Sequence, residues 1–434
     1  MSSEYSDIEF RSPAEIQQLQ EQLLSKQLQY LQANSAFYRR MFAEHRIDVS
    51  KIRTLDDLRN VPFTEKADLQ LHNADFLCVE ETRIIDYITT SGTLGDPVTF
   101  ACTENDLQRL AYNEAVSFKF AGLRPGNKVQ LMVTLDKRFM AGMAYFLGLR
   151  KLGVGVIRVG NGIPELQWDT IKRLKPDTLM CIPSFILRLI EYAEAHGIDY
   201  RNSSVKRIIG IGEGMRDINF ELNSLGRKIK EKWDVELFAT YSSTEMSATF
   251  SECQYGCGGH LHPELLVVEI IGEDGNPVPP GEVGEVVITT LGVEGMPLLR
   301  FKTGDMAAMY YNECQCGRKS PRISPIVGRK NHMIKYKGTT LYPPALVDVL
   351  NNTDYVENYF ITVSTTDNET DNVVITVGLR QQSNFDPIKD LKDRFRTRVR
   401  VAPEIAVLPV DVINQITHPA MSRKPVTLFD NRSK

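Results

Sequence analysis

Four residues in the second half of the chain, Cys253, His260, Cys314 and Cys316, supply three thiolates and one imidazole. Their spacing, Cys-x6-His followed by Cys-x-Cys, reads as a closed tetrahedral set for structural Zn2+, with no position left open for a reacting water. Cys257 and His262 are near enough in sequence to replace one of the four, and buried free thiols are the alternative. Cys78, Cys102 and Cys181 lie outside this cluster and read as core or surface thiols. A second stretch with chemical content is Thr89-Thr90-Ser91-Gly92-Thr93-Leu94-Gly95-Asp96-Pro97. Small hydroxyl residues offer donors, and two glycines let successive N–H groups turn toward one anion, so the stretch predicts a phosphate loop. It has neither the glycine spacing of a dinucleotide fold nor the Gly-Lys-Ser/Thr ending of a P-loop.

Elements must exist to position these groups. Apolar residues Ile16, Leu19, Leu23, Leu24, Leu28 and Leu31 predict an amphipathic helix over residues 13 to 32. Strand-like runs Val129 to Val133, Val154 to Val159, Thr178 to Ile182 and Arg207 to Ile211 alternate with helical patterns, which points to a mostly parallel α/β sheet. Gly275 to Gly281 is a turn cluster inside a more strand-rich stretch. After Arg329 the pattern restarts with strands at Tyr359 to Val363 and Val373 to Leu379 and a helix near Pro387 to Arg400, enough for a small α+β domain. At 434 residues, two domains are expected, 1–329 and 330–434.

Composition narrows the function classes. A charged content of 24%, a formal net charge of -4 and the lack of a long basic run argue against nucleic acid as a partner. No apolar stretch approaches the ~20 residues that cross a bilayer. The polar, acidic start from Met1 to Asp7 does not read as a signal peptide, and seven cysteines, four of them in two short segments, do not read as a secreted disulfide framework. The cytoplasm is the expected compartment.

Further blocks follow strand-like runs: Tyr241-Ser242-Ser243-Thr244-Glu245 after Val235 to Ala239, and Leu298 to Asp305 after Glu285 to Thr290, followed by Ile326-Val327-Gly328-Arg329 and by Lys424 ahead of Asp430 and Arg432. In this order they resemble the acyl-adenylate-forming superfamily of acyl-CoA synthetases, adenylation domains and luciferases. Asn34 to Arg40, Pro62 to Leu69, Met296 to Phe301 and Tyr342-Pro343-Pro344 are similar to its phenylacetate-CoA ligase family, from about residue 30 to the C-terminus.

The resemblance implies a large N-terminal adenylate-forming domain with mainly parallel sheets flanked by helices, and a small mobile C-terminal α+β domain. It implies two half-reactions: a carboxylic acid and ATP give acyl-AMP and pyrophosphate, then the thiol of coenzyme A displaces AMP. By the family pattern Thr90, Ser91, Gly92, Thr93 and Gly95 hold the triphosphate, Thr244 donates to the α-phosphate, and Glu245 binds Mg2+. Gly212, Glu213 and Gly214 line the adenine on which Tyr241 stacks, with Ser242 and Ser243 beside it. Asp305 bridges the ribose hydroxyls, Arg329 adds a second ribose contact, and Lys424 is the cation of adenylation. Phe139, Gly142, Met143 and Tyr145 fall in the segment lining the acyl group, and some members carry a Cys-x-Cys-Gly-Arg segment like Cys314 to Arg318. Four departures stand out: Asp96 where Lys is usual, which repels pyrophosphate if it faces it; Ser242 where Gly is usual, which narrows the acyl pocket; Asn331-His332 at the hinge in place of Asp-Asp; and Arg423 in place of Gly. Two other readings remain open: acyl transfer from acyl-AMP to an amine, hydroxyl or carrier-protein thiol, and a nucleotide- or acyl-CoA-binding homologue with impaired adenylation. A homodimer is compatible with the resemblance.

Overall fold

Ser12 and Glu15 form a reciprocal capping box, the Ser12 side chain accepting from the Glu15 N–H and Glu15 accepting from the Ser12 N–H at 2.9 Å, with Pro13 at the first helical position. This starts α1 (Pro13–Asn34) in a computed structural model that describes residues 7–90, 98–366, 371–380, 385–417 and 426–432. Ile16, Leu24, Leu28 and Leu31 are buried as their spacing predicts. Two amides on the same face are buried as well: Gln20 donates to the Leu266 carbonyl at 2.7 Å, and Gln27 accepts from the Gly292 N–H at 2.9 Å. The chain continues through α2 (Ala36–Glu44) and α3 (Lys66–Leu71) into an antiparallel hairpin, β1 (Ile84–Thr89) and β2 (Thr99–Thr103), with Thr89 opposite Thr99.

After α4 (Glu104–Phe120) the predicted alternation sets in: β3 (Lys128–Leu131), α5 (Met140–Leu152), β4 (Gly155–Arg158), α6 (Pro164–Leu174), β5 (Thr178–Cys181), α7 (Pro183–Ala195), β6 (Arg207–Gly210), α8 (Ser224–Lys232) and β7 (Glu236–Ser243). These strands lie parallel in the order β4-β3-β5-β6-β7. Alternate residues feed opposite faces, as a period of two requires. Leu131, Met180 and Ile209 pack with Phe118, Tyr145 and Leu149 of α4 and α5, whereas Leu179 and Ile208 pack with Trp168, Ile186, Leu189 and Trp233 on the α6, α7 and α8 side.

The parallel half is not the whole sheet. Beyond β7 it turns antiparallel through β8 (Ala248–Ser251) and β9 (Gly259–His260), and β10 (Leu266–Ile271), β11 (Gly284–Thr290) and β12 (Phe301–Ala307) build further β structure. The short strands β13 (Met309–Tyr310) and β14 (Arg322–Ile323) complete the nine-stranded sheet beside β9.

The chain divides into two units, one running to Thr303 and resuming over Ala307–Ile326, the other comprising Gly304–Met306 and Val327–Lys434. The division falls before Arg329 because Asp305 and Met306 of β12 pair with Arg329 and Gly328 of β15 (Gly328–Arg329). The second unit continues with the hairpin β16 (Ile334–Tyr336) and β17 (Thr339–Leu341), then α9 (Pro343–Asn351), β18 (Val356–Thr365), β19 (Asp371–Leu379), α10 (Pro387–Val399), β20 (Glu404–Val407), α11 (Val410–Thr417) and β21 (Leu428–Asp430). Its sheet has the order β20-β19-β18-β21, and Ile361, Val363, Val373, Ile375 and Val377 pack with Leu346, Leu391 and Phe395. No helix among the described residues is long and apolar enough to cross a membrane.

Candidate active site and metal centre

In an open parallel sheet the loops at the carboxyl ends of the strands face a common crevice, at the point where the strand order reverses. Here the reversal lies between β3 and β5. Three predicted segments leave the sheet at this edge: Gly212 to Gly214 after β6, Tyr241 to Glu245 at the end of β7, and Phe139 ahead of α5 after β3. Gly212 has a φ of 72° and open space where a Cβ would stand, so its backbone is left uncovered. Glu213 accepts from the Ser184 N–H at 2.9 Å and the Ser184 hydroxyl at 3.0 Å, which ties its carboxylate to the first turn of α7. Asn223 donates to the Gly214 carbonyl at 2.8 Å.

On β7, Tyr241 stands opposite Phe250 of β8 and the rings stack with centroids 5.6 Å apart. Residues Thr244 to Ser247 make the turn to β8, closed by the Ser247 N–H to the Thr244 carbonyl at 3.2 Å and by the Met246 N–H to the Ser243 hydroxyl at 3.2 Å. Ser247 has a φ of 48°, a strained value for a residue with a Cβ. The buried Arg109 of α4 holds this turn: its guanidinium donates to the carbonyls of Ser247 at 2.5 Å, Leu265 at 2.7 Å and Leu291 at 2.9 Å. Glu245, half-buried on the turn, has no protein hydrogen-bond partner among the described residues, which leaves its carboxylate available to a cation.

The residues expected to line the acyl group separate by exposure. Phe139 and Met143 are exposed at 40% and 37%, whereas Gly142 and Tyr145 are buried. A Cβ on Gly142 would stand 1.9 Å from the Thr134 carbonyl oxygen, so the glycine is needed for α5 to lie against the loop after β3. The Tyr145 hydroxyl is hydrogen-bonded by the exposed Ser242, which brings two predicted residues together; burial holds the phenol well above its ordinary pKa. Beside it, burial pushes the Glu114 carboxyl up to about 7 although Thr249 donates to it at 2.6 Å and Asn113 at 3.0 Å. Sequence reasoning passed over Arg109 and Glu114, since charged residues on a helix are ordinarily solvated and only the packing of α4 buries them.

Thr90 is buried, and its hydroxyl accepts from the Val98 N–H at 3.1 Å while the Val98 carbonyl accepts from the Thr90 N–H at 3.0 Å. These bonds pin both ends of the predicted phosphate loop; Ser91, Gly92, Thr93, Gly95 and Asp96 lie outside the described residues, as do Arg423 and Lys424. In the second unit Asp305 and Arg329 are cross-strand neighbours joined by an ion pair at 3.2 Å. Arg432 bonds Asp430, Asp371 and the carbonyls of Asn331 and Met333, anchoring the segment that carries Asn331-His332.

The four metal-ligand candidates meet although they come from separated segments: the donor atoms of Cys253, His260, Cys314 and Cys316 all lie within 4.8 Å of one another. Cys253 Sγ is 3.7 Å from Cys314 Sγ, and Cys316 Sγ is 3.5 Å from His260 Nε2. A tetrahedral zinc with bonds of about 2.3 Å to sulfur and about 2.0 Å to nitrogen separates its donor atoms by about 3.5–3.8 Å, so the set fits the ion. The sulfurs are too far apart for a disulfide, which needs about 2.05 Å. Burial, with Arg318, Arg322 and His262 nearby, lowers the His260 pKa to about 3, the neutral state a ligand needs. Ser320 Oγ lies 3.5 Å from its Nδ1. His262 is not a substitute ligand: it is buried, bonds Ser117 Oγ through Nε2 at 2.8 Å and stacks on Phe120. Cys257 Sγ, by contrast, is 3.5 Å from Cys314 Sγ.

The family model for AMP-binding enzymes matches residues 21–295. A phenylacetate-coenzyme A ligase of Thermus thermophilus is 31% identical over 337 residues, covering 76% of this chain and 74% of that protein. A phenylacetate-coenzyme A ligase of Escherichia coli is 26% identical over 443 residues, covering 98% and 97%. Among solved structures, a 2-hydroxyisobutyryl-CoA ligase in the postadenylation state, in complex with R3-HIB-AMP, superposes with a TM-score of 0.84 at 22% identity, covering 98% of this chain and 91% of that one. An open-edged parallel sheet carrying these segments, together with matches of this extent, places the chain in the AMP-binding enzyme family, within its phenylacetate-CoA ligase group.

Proposed function

We propose that the protein is an AMP-forming carboxylic acid–CoA ligase. The acid's carboxylate attacks the α-phosphorus of ATP and expels pyrophosphate, and the CoA thiolate then attacks the acyl carbon and expels AMP. The observation that carries this reading is the gathering of Gly212 to Gly214, Tyr241 to Glu245 and the start of α5 at the carboxyl edge of the parallel sheet, in a chain of this family. Gly212 and Gly214 give the adenine a bare backbone to lie on, and the Tyr241 ring, already aligned by Phe250, stacks on it. Thr244 donates to the α-phosphate. Thr90, Ser91, Gly92, Thr93 and Gly95 supply hydroxyl and backbone donors to the triphosphate. Asp305 accepts from the ribose hydroxyls with Arg329 beside it, and Lys424 supplies the positive charge that adenylation requires.

Glu245 would hold Mg2+ together with phosphate oxygens and water, an arrangement that neutralises charge on the phosphates. Cys253, His260, Cys314 and Cys316 would hold Zn2+ as a closed structural site that joins β9 to the Cys314 to Arg318 knuckle. Phe139 and Met143, with Ser242 and Tyr145, line the acyl end, and their aromatic and thioether surfaces suit an aryl or related acid. The cytoplasm and a homodimer complete the reading.

Acid-dependent exchange of pyrophosphate into ATP tests it, run over phenylacetate, benzoate and short hydroxy acids, with CoA then added to the positives. Exchange followed by CoA-dependent AMP release is expected. Exchange without any CoA response would move the acyl group to another acceptor, and no exchange with any acid would sink the proposal.

A further inference from the structure

The metal centre contains one thiol too many. Four donor atoms complete a tetrahedron, and Cys257 is not among the mutually close four, yet its Sγ lies 3.5 Å from Cys314 Sγ, closer than Cys253 does at 3.7 Å. Cys257 is also half-buried, as is Cys316, while Cys253 and Cys314 are fully buried. Its backbone is fixed by Arg322, which donates to the Cys257 carbonyl at 2.5 Å. A small oxidant therefore meets Cys257 before it meets Cys314.

We propose that Cys257 and Cys314 are a redox modification site, at which hydrogen peroxide joins the two sulfurs and releases the metal. Cys257 Sγ attacks one peroxide oxygen, the O–O bond breaks, and a sulfenic acid and water form. Cys314 Sγ, giving up its bond to zinc, then attacks the Cys257 sulfur; the S–S bond forms, the S–O bond breaks, and the departing hydroxide takes a proton to become a second water. Two thiols are oxidised to one disulfide, one peroxide is reduced to two waters, and the ion is left with three ligands. The sulfurs must close from 3.5 Å to about 2.05 Å, a movement within the reach of the knuckle around Gly317, whose φ is 84°.

Loss of Cys314 has a place to be felt. The Gly317 N–H bonds the Cys314 carbonyl at 2.8 Å, and the Cys314 N–H bonds the Arg318 carbonyl at 2.9 Å. The next residues hold the start of the chain: the Lys319 and Ser320 N–H groups donate to the Glu9 carbonyl at 2.7 and 3.1 Å, and Arg318 lies over the Phe10 ring. The knuckle, once emptied, no longer fixes that clasp.

The inference rests on the zinc reading above, so zinc is measured first in untreated protein, and the disulfide is scored separately by peptide mass mapping without reductant. With hydrogen peroxide, wild type should lose its zinc to a chromogenic chelator as a Cys257–Cys314 linkage appears, and dithiothreitol with added zinc should restore the site. Cys257→Ser keeps all four ligands and should release zinc at least about tenfold more slowly, since no neighbouring thiol remains to capture Cys314. Equal release from Cys257→Ser, or a linkage that joins Cys253 to Cys314 instead, would overturn the proposal. Protein without zinc that still forms the Cys257–Cys314 linkage would retain the modification site and reject only the metal.

Discussion

Replacing Arg109 by Lys tests whether one buried guanidinium fixes the turn that carries Thr244 and Glu245. Arg109 is 1% exposed, and each of its three nitrogens serves a different backbone carbonyl, at Ser247, Leu265 and Leu291. A lysine ammonium is a point donor on a differently shaped arm and can serve one of these at most, which leaves two buried carbonyls without a donor. Each unsatisfied group costs about 1–3 kcal/mol, so Arg109→Lys should destabilise the first unit by about 4 kcal/mol. Both tryptophans, Trp168 and Trp233, are buried in that unit, so fluorescence during urea unfolding reports on it alone. The released Ser247 carbonyl should also let the strained turn relax, so pyrophosphate exchange should fall in conditions where the variant is still folded. A loss below about 1 kcal/mol, less than a single unsatisfied buried carbonyl costs, would refute the reasoning. Full destabilisation with unchanged exchange per folded molecule would show that Arg109 serves the fold and not the site.

Glu245→Gln should cut pyrophosphate exchange by about two orders of magnitude, the scale of losing a positioned electrostatic group, while leaving the unfolding midpoint unchanged because the carboxylate has no protein partner among the described residues. Unchanged exchange would place the Mg2+ carboxylate elsewhere. Lys424→Ala should slow acyl-AMP formation by about two orders of magnitude yet leave the reaction of supplied acyl-AMP with CoA near wild type; equal loss in both halves would mean a damaged fold or a shared site. Glu114 titrates at about 7 in the folded chain against an ordinary 4.5. Its folded pKa is raised, so its stabilising contribution is complete below about 4.5 and is lost as pH rises through about 7. Glu114→Gln should remove that part of the decline, and unfolding curves at pH 5 and pH 8 that move in parallel for both proteins would show that Glu114 does not titrate there.

How far the sequence reaches is clearest in the parallel strands. Runs such as Thr178 to Ile182 and Arg207 to Ile211 carry no polar side chain after their first residue because both faces are covered, and they emerged as β5 and β6. Local patterns carry that information. The same holds for α1, whose capping box and apolar stripe are written within a few residues of each other. The antiparallel continuation through β9, β13 and β14 was not legible, since strands of two residues carry no alternation from which to register a period.

The candidate site divides along the same line. The sequence by itself determined which residue types stand in the Tyr241 to Glu245 block and in the Cys-x6-His and Cys-x-Cys pairs. Only the tertiary structure decided that the two pairs, separated by more than fifty residues, bring their donor atoms within 4.8 Å of one another, that His262 turns away to Ser117, and that Cys257 approaches as a fourth sulfur. It likewise decided that the acidic Glu114 and the basic Arg109 of α4 point inward, one raised in pKa by burial and the other spent on three carbonyls. Spacing along the chain fixes neighbours within a turn or a strand. Distances across the molecule are set by how helices and sheets pack, and coordination, burial and the charge state of a carboxyl all depend on those distances.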